Sequence, residues 1–192
     1  MEKYLKILEQ FKNKRAGIFV DEANLFYSKK TLGWQIDWKK VLDFFKQFYD
    51  VKIARYYMGM PFKKEAYEKN ILIKNRLEKA GFEVITKPLK KIYLNNRKKN
   101  FKYKCNFDVE ITRDVIRSLE KIDLVLLASS DSDFIGLRND VLSYKKGFIF
   151  VCFEHNVAWE IRRSYHLFFE DIKEKVEYKK TPEINPGWNH YY

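Results

Sequence analysis

Two aspartates, Asp131 and Asp133, stand directly behind the apolar run Leu124–Ala128. The run is too short for a membrane span and has no polar face at helical spacing, which is typical of a strand buried on both faces of a parallel sheet. Ligands of open α/β sheets bind just beyond the carboxyl ends of the strands. One Asp here would be explained by capping of the helical pattern that follows. Two carboxylates indicate a metal or phosphate-chemistry site.

Three further acids are candidates to join this pair. Asp21 ends a second short apolar run, and Asn24 follows it by three residues. Asp108 opens a helical pattern, where a carboxylate also suits the positive end of the helix dipole. Asp114 lies six residues further along the same helix and therefore not on the face of Asp108. We expect only part of this set to point into one site.

The elements that would position these acids alternate between apolar runs and helical patterns. This alternation predicts an α/β fold with a mainly parallel, doubly wound sheet and one site edge. Asp21, Asp131 and Asp133 would emerge at that edge, and Asp108 would approach from a neighbouring helix. A cluster of carboxylates is unfavourable unless a cation neutralises it. Oxygen-only ligands suit Mg²⁺ or Mn²⁺, which can bind a phosphodiester, lower the pKa of a water and stabilise the leaving oxygen.

The last third of the chain carries shorter patterns. A helix is expected from Phe134 to about Lys146, with Leu137, Val141 and Leu142 facing inward and Gly147 as its stop. Residues 155–156 are expected to begin another helix, and residues 168–172 could form a last short strand.

A basic segment precedes Asp108. Its Lys and Arg residues are interleaved with Tyr93, Phe101 and Tyr103, and the pattern predicts a hairpin with its tip near residues 95–96. Basic side chains neutralise phosphates, and aromatic faces can stack on unpaired bases. A solvated basic loop would have the same composition, but the segment runs directly into the acidic one, so we favour nucleic-acid contact. The candidate contacts are Lys90, Lys91, Arg97, Lys98, Lys99, Lys102 and Lys104.

The composition agrees with a nucleic-acid partner and excludes several other classes. The chain has 192 residues, 46% of them hydrophobic, which is enough for the core of one α/β domain. Its formal charge of +12 favours polyanions. Cys105 and Cys152 form no C-x-x-C pair and no secretory signal is seen, so we expect reduced thiols, a cytoplasmic location and no membrane association. Glycine-rich phosphate loops and a G-x-S-x-G elbow are absent.

Three segments together resemble the NYN domain, the LabA-like branch of the PIN-like nucleases. They read FVDEANLF from Phe19, NFDVEITRD from Asn106 and LLASSDSDF from Leu126, and their order and spacing match across residues 16–172. The resemblance implies a PIN-like, three-layer α/β/α sandwich that acts on RNA with a divalent metal. It also implies that the acidic metal site consists of Asp21, Asp108, Asp131 and Asp133, with Asn24 and Asp114 as supporting polar residues. Ser130, directly before the Asp pair, is a further candidate for a supporting polar residue.

The function expected from these features is a Mg²⁺- or Mn²⁺-dependent ribonuclease. A non-catalytic RNA-binding module of the same fold is the alternative, and a Toprim-like phosphotransfer domain is a third, although its Glu would have to end the first strand and Glu22 is one residue off. The expected organisation is an N-terminal amphipathic helix at 1–15, the nuclease domain at 16–172 and a tail at 173–192. Two copies of the chain could also associate, through aromatic residues such as Trp34, Trp188 and Tyr192.

Overall fold

The apolar runs of the sequence form strands in the structure, a computed structural model that describes residues 3–25, 33–93, 101–155 and 157–179. In these ranges the strands are β1 Arg15–Asp21, β2 Asp50–Met60, β3 Glu83–Pro88, β4 Lys90–Tyr93, β5 Phe101–Lys104, β6 Leu124–Ala128, β7 Gly147–Cys152 and β8 His166–Phe168. Six of them form one sheet in the order β3-β2-β1-β6-β7-β8, and every neighbouring pair is parallel. β4 and β5 form a separate antiparallel hairpin.

Helices cover both faces of the sheet. They are α1 Lys3–Gln10, α2 Trp38–Lys46, α3 Lys64–Ala80, α4 Asp108–Ser118, α5 Ile135–Ser143, α6 Trp159–Arg162 and α7 Lys173–Val176, with 3-10 turns at Ser132–Phe134 and Phe169–Ile172. Residues 22–25 are helical as well. One buried cluster joins α1, α2, α3 and α7 to one face, and a second joins α4, α5 and α6 to the other.

The central strand shows why the sequence folds this way. Side chains alternate across a strand, so Ile18 and Val20 enter the first cluster and Phe19 enters the second. A strand buried on both faces needs non-polar residues at successive positions, as residues 16–20 of β1 and all of β6 have. The predicted α/β fold with helices on both sides of a parallel sheet is confirmed.

The strand order reverses between β1 and β6. These neighbours pair from Ala16 with Leu124 to Val20 with Ala128, so both strands end at the same level. The chain leaves β1 towards one side of the sheet and leaves β6 towards the other, which opens a crevice at this switch point. Asp21 ends β1 here, and the loop with Asp131 and Asp133 follows β6.

Local caps set one boundary each of α2 and α3. Asp37 caps α2 by accepting hydrogen bonds from the backbone N–H groups of Lys39 and Lys40. Gly81 ends α3 in the left-handed conformation with φ 108°.

The expected end of the helix after Asp133 is wrong. That helix ends at Ser143, Lys145 makes the left-handed turn with φ 55°, and Gly147 begins β7. A Cβ at Gly147 would lie 2.5 Å from a ring carbon of Phe11, so this glycine permits close packing instead of stopping a helix. Leu142, expected to face inward, is 39% exposed.

Two later boundaries also differ from the expectation. The helix expected from residues 155–156 begins only at Trp159, because Ala158 is extended, and Asn156 lies outside the described residues. The last strand comes earlier than expected, at His166–Phe168. Residues 169–172 form a 3-10 turn, since this spacing brings Phe169 and Ile172 to the same side, where both are buried.

Trp34 is buried and therefore does not line a surface through which two copies could associate. It is 8% exposed and lies edge-on to Phe153 at 5.5 Å between ring centroids. Trp188 and Tyr192 lie outside the described residues.

Cys105 and Cys152 are free thiols. In the part of the chain that the structure describes, no helix is long and apolar enough to cross a membrane.

Candidate metal centre and nucleic-acid interface

Three aspartates meet at the switch point. Asp108, Asp131 and Asp133 each offer one carboxylate oxygen, and these oxygens lie within 4.8 Å of one another. Asp108 is the first residue of α4, and the other two lie in the loop after β6. Two oxygens bound to one Mg²⁺ are at most about 4.2 Å apart, so a small side-chain rotation would suffice to bind one ion. The donor set is oxygen only, which fits Mg²⁺ or Mn²⁺.

Backbone hydrogen bonds hold the loop after β6. The carboxylate of Asp131 accepts from the N–H of Asp133 at 2.9 Å and so caps the 3-10 turn. The N–H of Asp131 donates to Oγ of Ser129 at 3.2 Å. The capping explanation of Asp131 is therefore correct for one oxygen, and Asp131 still belongs to the acidic cluster. Capping and a candidate ligand role coexist in one side chain.

Asp21 lies beside the cluster but deeper in the protein. It is 4% exposed, and it accepts hydrogen bonds from Ser129 Oγ at 3.3 Å and from the Asn24 N–H at 3.4 Å. Burial raises the pKa of Asp21 to about 6, the hydrogen bonds oppose this, and the charges of Asp108 and Asp131 add to it. Among the described residues, no Lys or Arg forms an ion pair with Asp21. Its charge is thus left for a cation to compensate.

Asn24 and Ser130 connect the two loops of the crevice. Oδ1 of Asn24 accepts from both the backbone N–H and the hydroxyl of Ser130, each at 2.7 Å. This contact joins the segment after β1 to the loop after β6. Its place suits a role in positioning Asp21 and Asp131 relative to each other.

Asn106 was not among the predicted site residues. Its Nδ2 donates to Oδ2 of Asp108 at 2.7 Å, and its Oδ1 accepts from the N–H of Asp108 at 2.8 Å. It therefore orients the Asp108 carboxylate and binds the first N–H group of α4. The signal available in the sequence was an Asn two residues before an Asp at a helix start, a common local hydrogen-bonding pattern.

Lys87 brings a positive charge to the same helix start. Its ammonium forms an ion pair with Glu110, donates to the carbonyl of Asn106 at 3.2 Å and lies 5.1 Å from the ring centre of Phe107. Burial would raise the pKa of Glu110, but the bond and charge of Lys87 hold that pKa below its ordinary value. No sequence pattern links residues 87 and 110, so this pair was missed as well.

Asp114 is not part of the acidic cluster. Its carboxylate accepts from the Tyr57 hydroxyl at 2.9 Å and from Arg113 Nε at 3.0 Å, and it lies 3.6 Å from an Arg55 nitrogen. It is 7% exposed. Burial and the Asp114 charge together raise the pKa of Tyr57 above its ordinary value. This network ties α4 to β2 and so supports the element that carries Asp108.

The predicted basic hairpin directly precedes Asp108 of the acidic cluster in the sequence. Lys90 pairs with Lys104 across β4 and β5, and both, like Lys91, are exposed. Lys102 lies in β5 opposite Ile92. Arg97, Lys98 and Lys99 lie outside the described residues. The Lys91 ammonium lies 3.8 Å from the ring centre of Phe101 and 5.1 Å from that of Tyr93, so it is engaged with the hairpin's own rings.

The fold and the site define an α/β protein with an oxygen-only acidic cluster at the switch point of its parallel sheet. The profile of the NYN domain matches residues 15–172, and the chain belongs to this family of PIN-like nucleases, which usually use divalent metals. The resemblance stated from the three sequence segments is confirmed.

Two known proteins are similar over most of the chain. Low amplitude and bright protein LabA of Synechococcus elongatus is 25% identical over 175 residues, covering 90% of this chain and 93% of LabA. A Vibrio parahaemolyticus protein of unknown function has a crystal structure with a TM-score of 0.69 and 22% identity, covering 86% of this chain and 97% of that one. The second similarity shows the fold alone.

Proposed function

We propose that this protein is a Mg²⁺- or Mn²⁺-dependent ribonuclease that hydrolyses phosphodiester bonds at the switch point between β1 and β6. The observation that carries the proposal is the convergence of Asp108, Asp131 and Asp133 within 4.8 Å in a chain of a nuclease family. These acids come from two elements far apart in sequence, and among the described residues no ion pair neutralises any of the three.

Each residue of the site has a proposed role. Asp108, Asp131 and Asp133 would hold the ion, and Asp21 would add a buried negative charge beneath it. A bound divalent ion supplies a nucleophilic water of lowered pKa and a positive charge on the scissile phosphate. Asn106 orients Asp108, while Asn24 and Ser130 hold the two loops together. The Lys residues of the hairpin would retain the RNA backbone.

The test is cleavage of labelled RNAs and single-stranded DNAs in Mn²⁺, Mg²⁺ or EDTA. We expect metal-dependent RNA cleavage that leaves a 5′-phosphate and is abolished in Asp131→Asn. Asp140→Asn is the matched control, because Asp140 is an exposed acid on the following helix, α5, outside the cluster. Full activity of a folded Asp131→Asn protein would contradict the proposal.

A second candidate is an RNA-binding module without catalysis. The exposed Lys90 and Lys104 of the hairpin favour it, since phosphate contacts by Lys need no acidic cluster. This candidate predicts RNA binding with a steep dependence on salt and no cleavage in any metal.

A further inference from the structure

A groove lies between the end of β3, the basic hairpin and the turn after β2. Its volume is about 730 Å³, and its lining includes Phe62, Lys87, Leu89, Lys90, Lys104 and Asn106. Sites for small organic ligands have volumes of about 300–1,000 Å³, so a nucleotide-sized group is accommodated.

The floor of the groove is apolar and fixed. Leu89 is 2% exposed, and its N–H donates to the carbonyl of Met60 at 2.9 Å, which anchors the hairpin to the end of β2. Gly59 lies directly under Leu89, where any Cβ would collide with the Leu89 side chain. The absence of a side chain at Gly59 on β2 therefore makes room for the Leu89 side chain that forms this floor.

Phe62 stands at the rim and is 71% exposed. Among the described residues it makes no ring–ring or cation–π contact, in contrast to Tyr93 and Phe101 of the hairpin, which pack against each other and against Lys91. Ligand-binding grooves are lined mainly by apolar and aromatic side chains, and Phe62 supplies such a ring. A base could stack on the free face of this ring.

The charge of the groove suits a phosphate backbone. Its lining contains four lysines and no carboxylate. Lys90 and Lys104 stand directly opposite each other across the hairpin, and like charges in that position are destabilising. No ion pair of either side chain is present in the part of the chain that the structure describes. Two backbone phosphates, one at each lysine, would neutralise both.

The groove borders the acidic cluster at Asn106. Asn106 lines the groove and also donates to the Asp108 carboxylate at 2.7 Å. A strand lying along the hairpin would therefore reach the cluster without leaving the protein surface.

We propose that this groove holds an unpaired segment of RNA, with a base stacked on Phe62 and phosphates at Lys90 and Lys104. The inference rests on the proposed function in one respect, namely that the bound strand becomes the substrate of the acidic cluster. It specifies the substrate class as single-stranded RNA or the unpaired part of a folded RNA. In a duplex the base faces are already stacked on each other and are not available to Phe62.

The first test is fluorescence anisotropy of the full chain in EDTA, with a short labelled oligouridylate and an RNA duplex of the same length. Phe62→Ala should bind the oligouridylate about 5- to 100-fold more weakly, the usual loss when a stacking ring is removed. Phe62→Tyr should bind like the wild type. Tyr144→Ala is the matched control, because Tyr144 is 60% exposed and lies before β7 at the opposite edge of the sheet. Duplex binding should not change in any of these variants.

The second test addresses the phosphates. Lys90→Ala and Lys104→Ala should each lower the slope of log affinity against log salt by about 0.7, the value for one phosphate contact on a single strand. Lys121→Ala, an exposed lysine between α4 and β6, should leave the slope unchanged.

The proposal is overturned if Phe62→Ala binds the oligouridylate as tightly as the wild type does. It is also overturned if the wild type binds neither RNA, or binds the duplex as tightly as the single strand. Failure of the nuclease proposal gives a different result. In that case no metal produces cleavage, yet Phe62→Ala still loses oligouridylate binding, which supports the groove.

Discussion

Asp21 and Asp123 lie at opposite ends of the two central strands β1 and β6, and their electrostatic environments are opposite. Asp123 precedes β6 and binds Arg15 at 2.8 and 2.9 Å and Lys146 at 2.9 Å, and these partners hold its pKa well below the ordinary value. Asp21 ends β1, is buried without such a partner, and has a pKa raised to about 6. At the end where the strands begin, the Asp123 carboxylate stabilises the fold. At the end where the strands finish, the Asp21 carboxylate lowers stability, which is typical of a residue retained for function.

The largest expected effect comes from Asp21→Asn. We expect it to abolish RNA cleavage while raising the free energy of unfolding of the metal-free protein by about 1–3 kcal/mol at pH 8, because the uncompensated buried charge is removed. The native pKa of about 6 lies above the unfolded value of about 3.9, so the wild type loses stability as pH rises from about 4 to beyond 6. The difference between the two proteins should therefore vanish near pH 4.

Urea unfolding in EDTA at several pH values measures this difference. Asp133→Asn is the control, because Asp133 is exposed and its removal relieves no buried charge. Addition of Mg²⁺ should stabilise the wild type more than Asp21→Asn, because the variant keeps the three candidate ligands and loses the buried charge beneath them. An Asp21→Asn protein that is less stable than the wild type at pH 8 would contradict the interpretation of Asp21 as a functional carboxylate.

Tyr57→Phe tests whether Asp114 is a stabilising carboxylate like Asp123 or a functional one like Asp21. Asp114 is surrounded by Arg55, Arg113 and the Tyr57 hydroxyl, so it belongs with Asp123 among the stabilising carboxylates. Removal of the buried hydroxyl should lower the free energy of unfolding by about 1–3 kcal/mol, the usual cost of a lost hydrogen bond to a charged group.

The measurement pairs urea unfolding with a cleavage assay at a temperature where the variant is fully folded. RNA cleavage and its metal dependence should be unchanged in Tyr57→Phe. Lost cleavage without lost stability would place Asp114 in the catalytic site after all.

The sequence predicted the parts of the site that follow from sheet geometry. Apolar runs that end in Asp lie at one edge of a parallel sheet, so Asp21 and Asp131 were expected there, with Asp108 approaching from a neighbouring helix. The helical offset between Asp108 and Asp114 also predicted that both could not enter one site. Their role as metal ligands stays a prediction.

The features that the sequence did not reveal depend on contacts without a periodic pattern. Lys87 and Glu110 pair only because β3 ends beside α4, and Asn106 acts through a local bond that many loops contain. Gly147 has the sequence signature of a helix stop, yet it is needed for close packing against Phe11. A single exposed ring such as Phe62 leaves no signal in the sequence at all.

The smallest expected effect comes from Asp123→Asn. Loss of the partner of Arg15 and Lys146 should lower the free energy of unfolding by about 1 kcal/mol at pH 7, since all three side chains are partly exposed and water screens their charges. The native pKa of Asp123 lies below the unfolded value, so the stabilisation is present above about pH 4 and is lost as pH falls below it. Urea unfolding at pH 7 and pH 3 should show the variant and the wild type converging at the lower pH. Asp43→Asn, which breaks the exposed pair with Lys39 on α2, is the matched control and should leave the free energy of unfolding almost unchanged. Because Asp21→Asn and Asp123→Asn replace the same residue type at the two ends of the same strands, opposite signs in one assay would attribute the difference to environment alone.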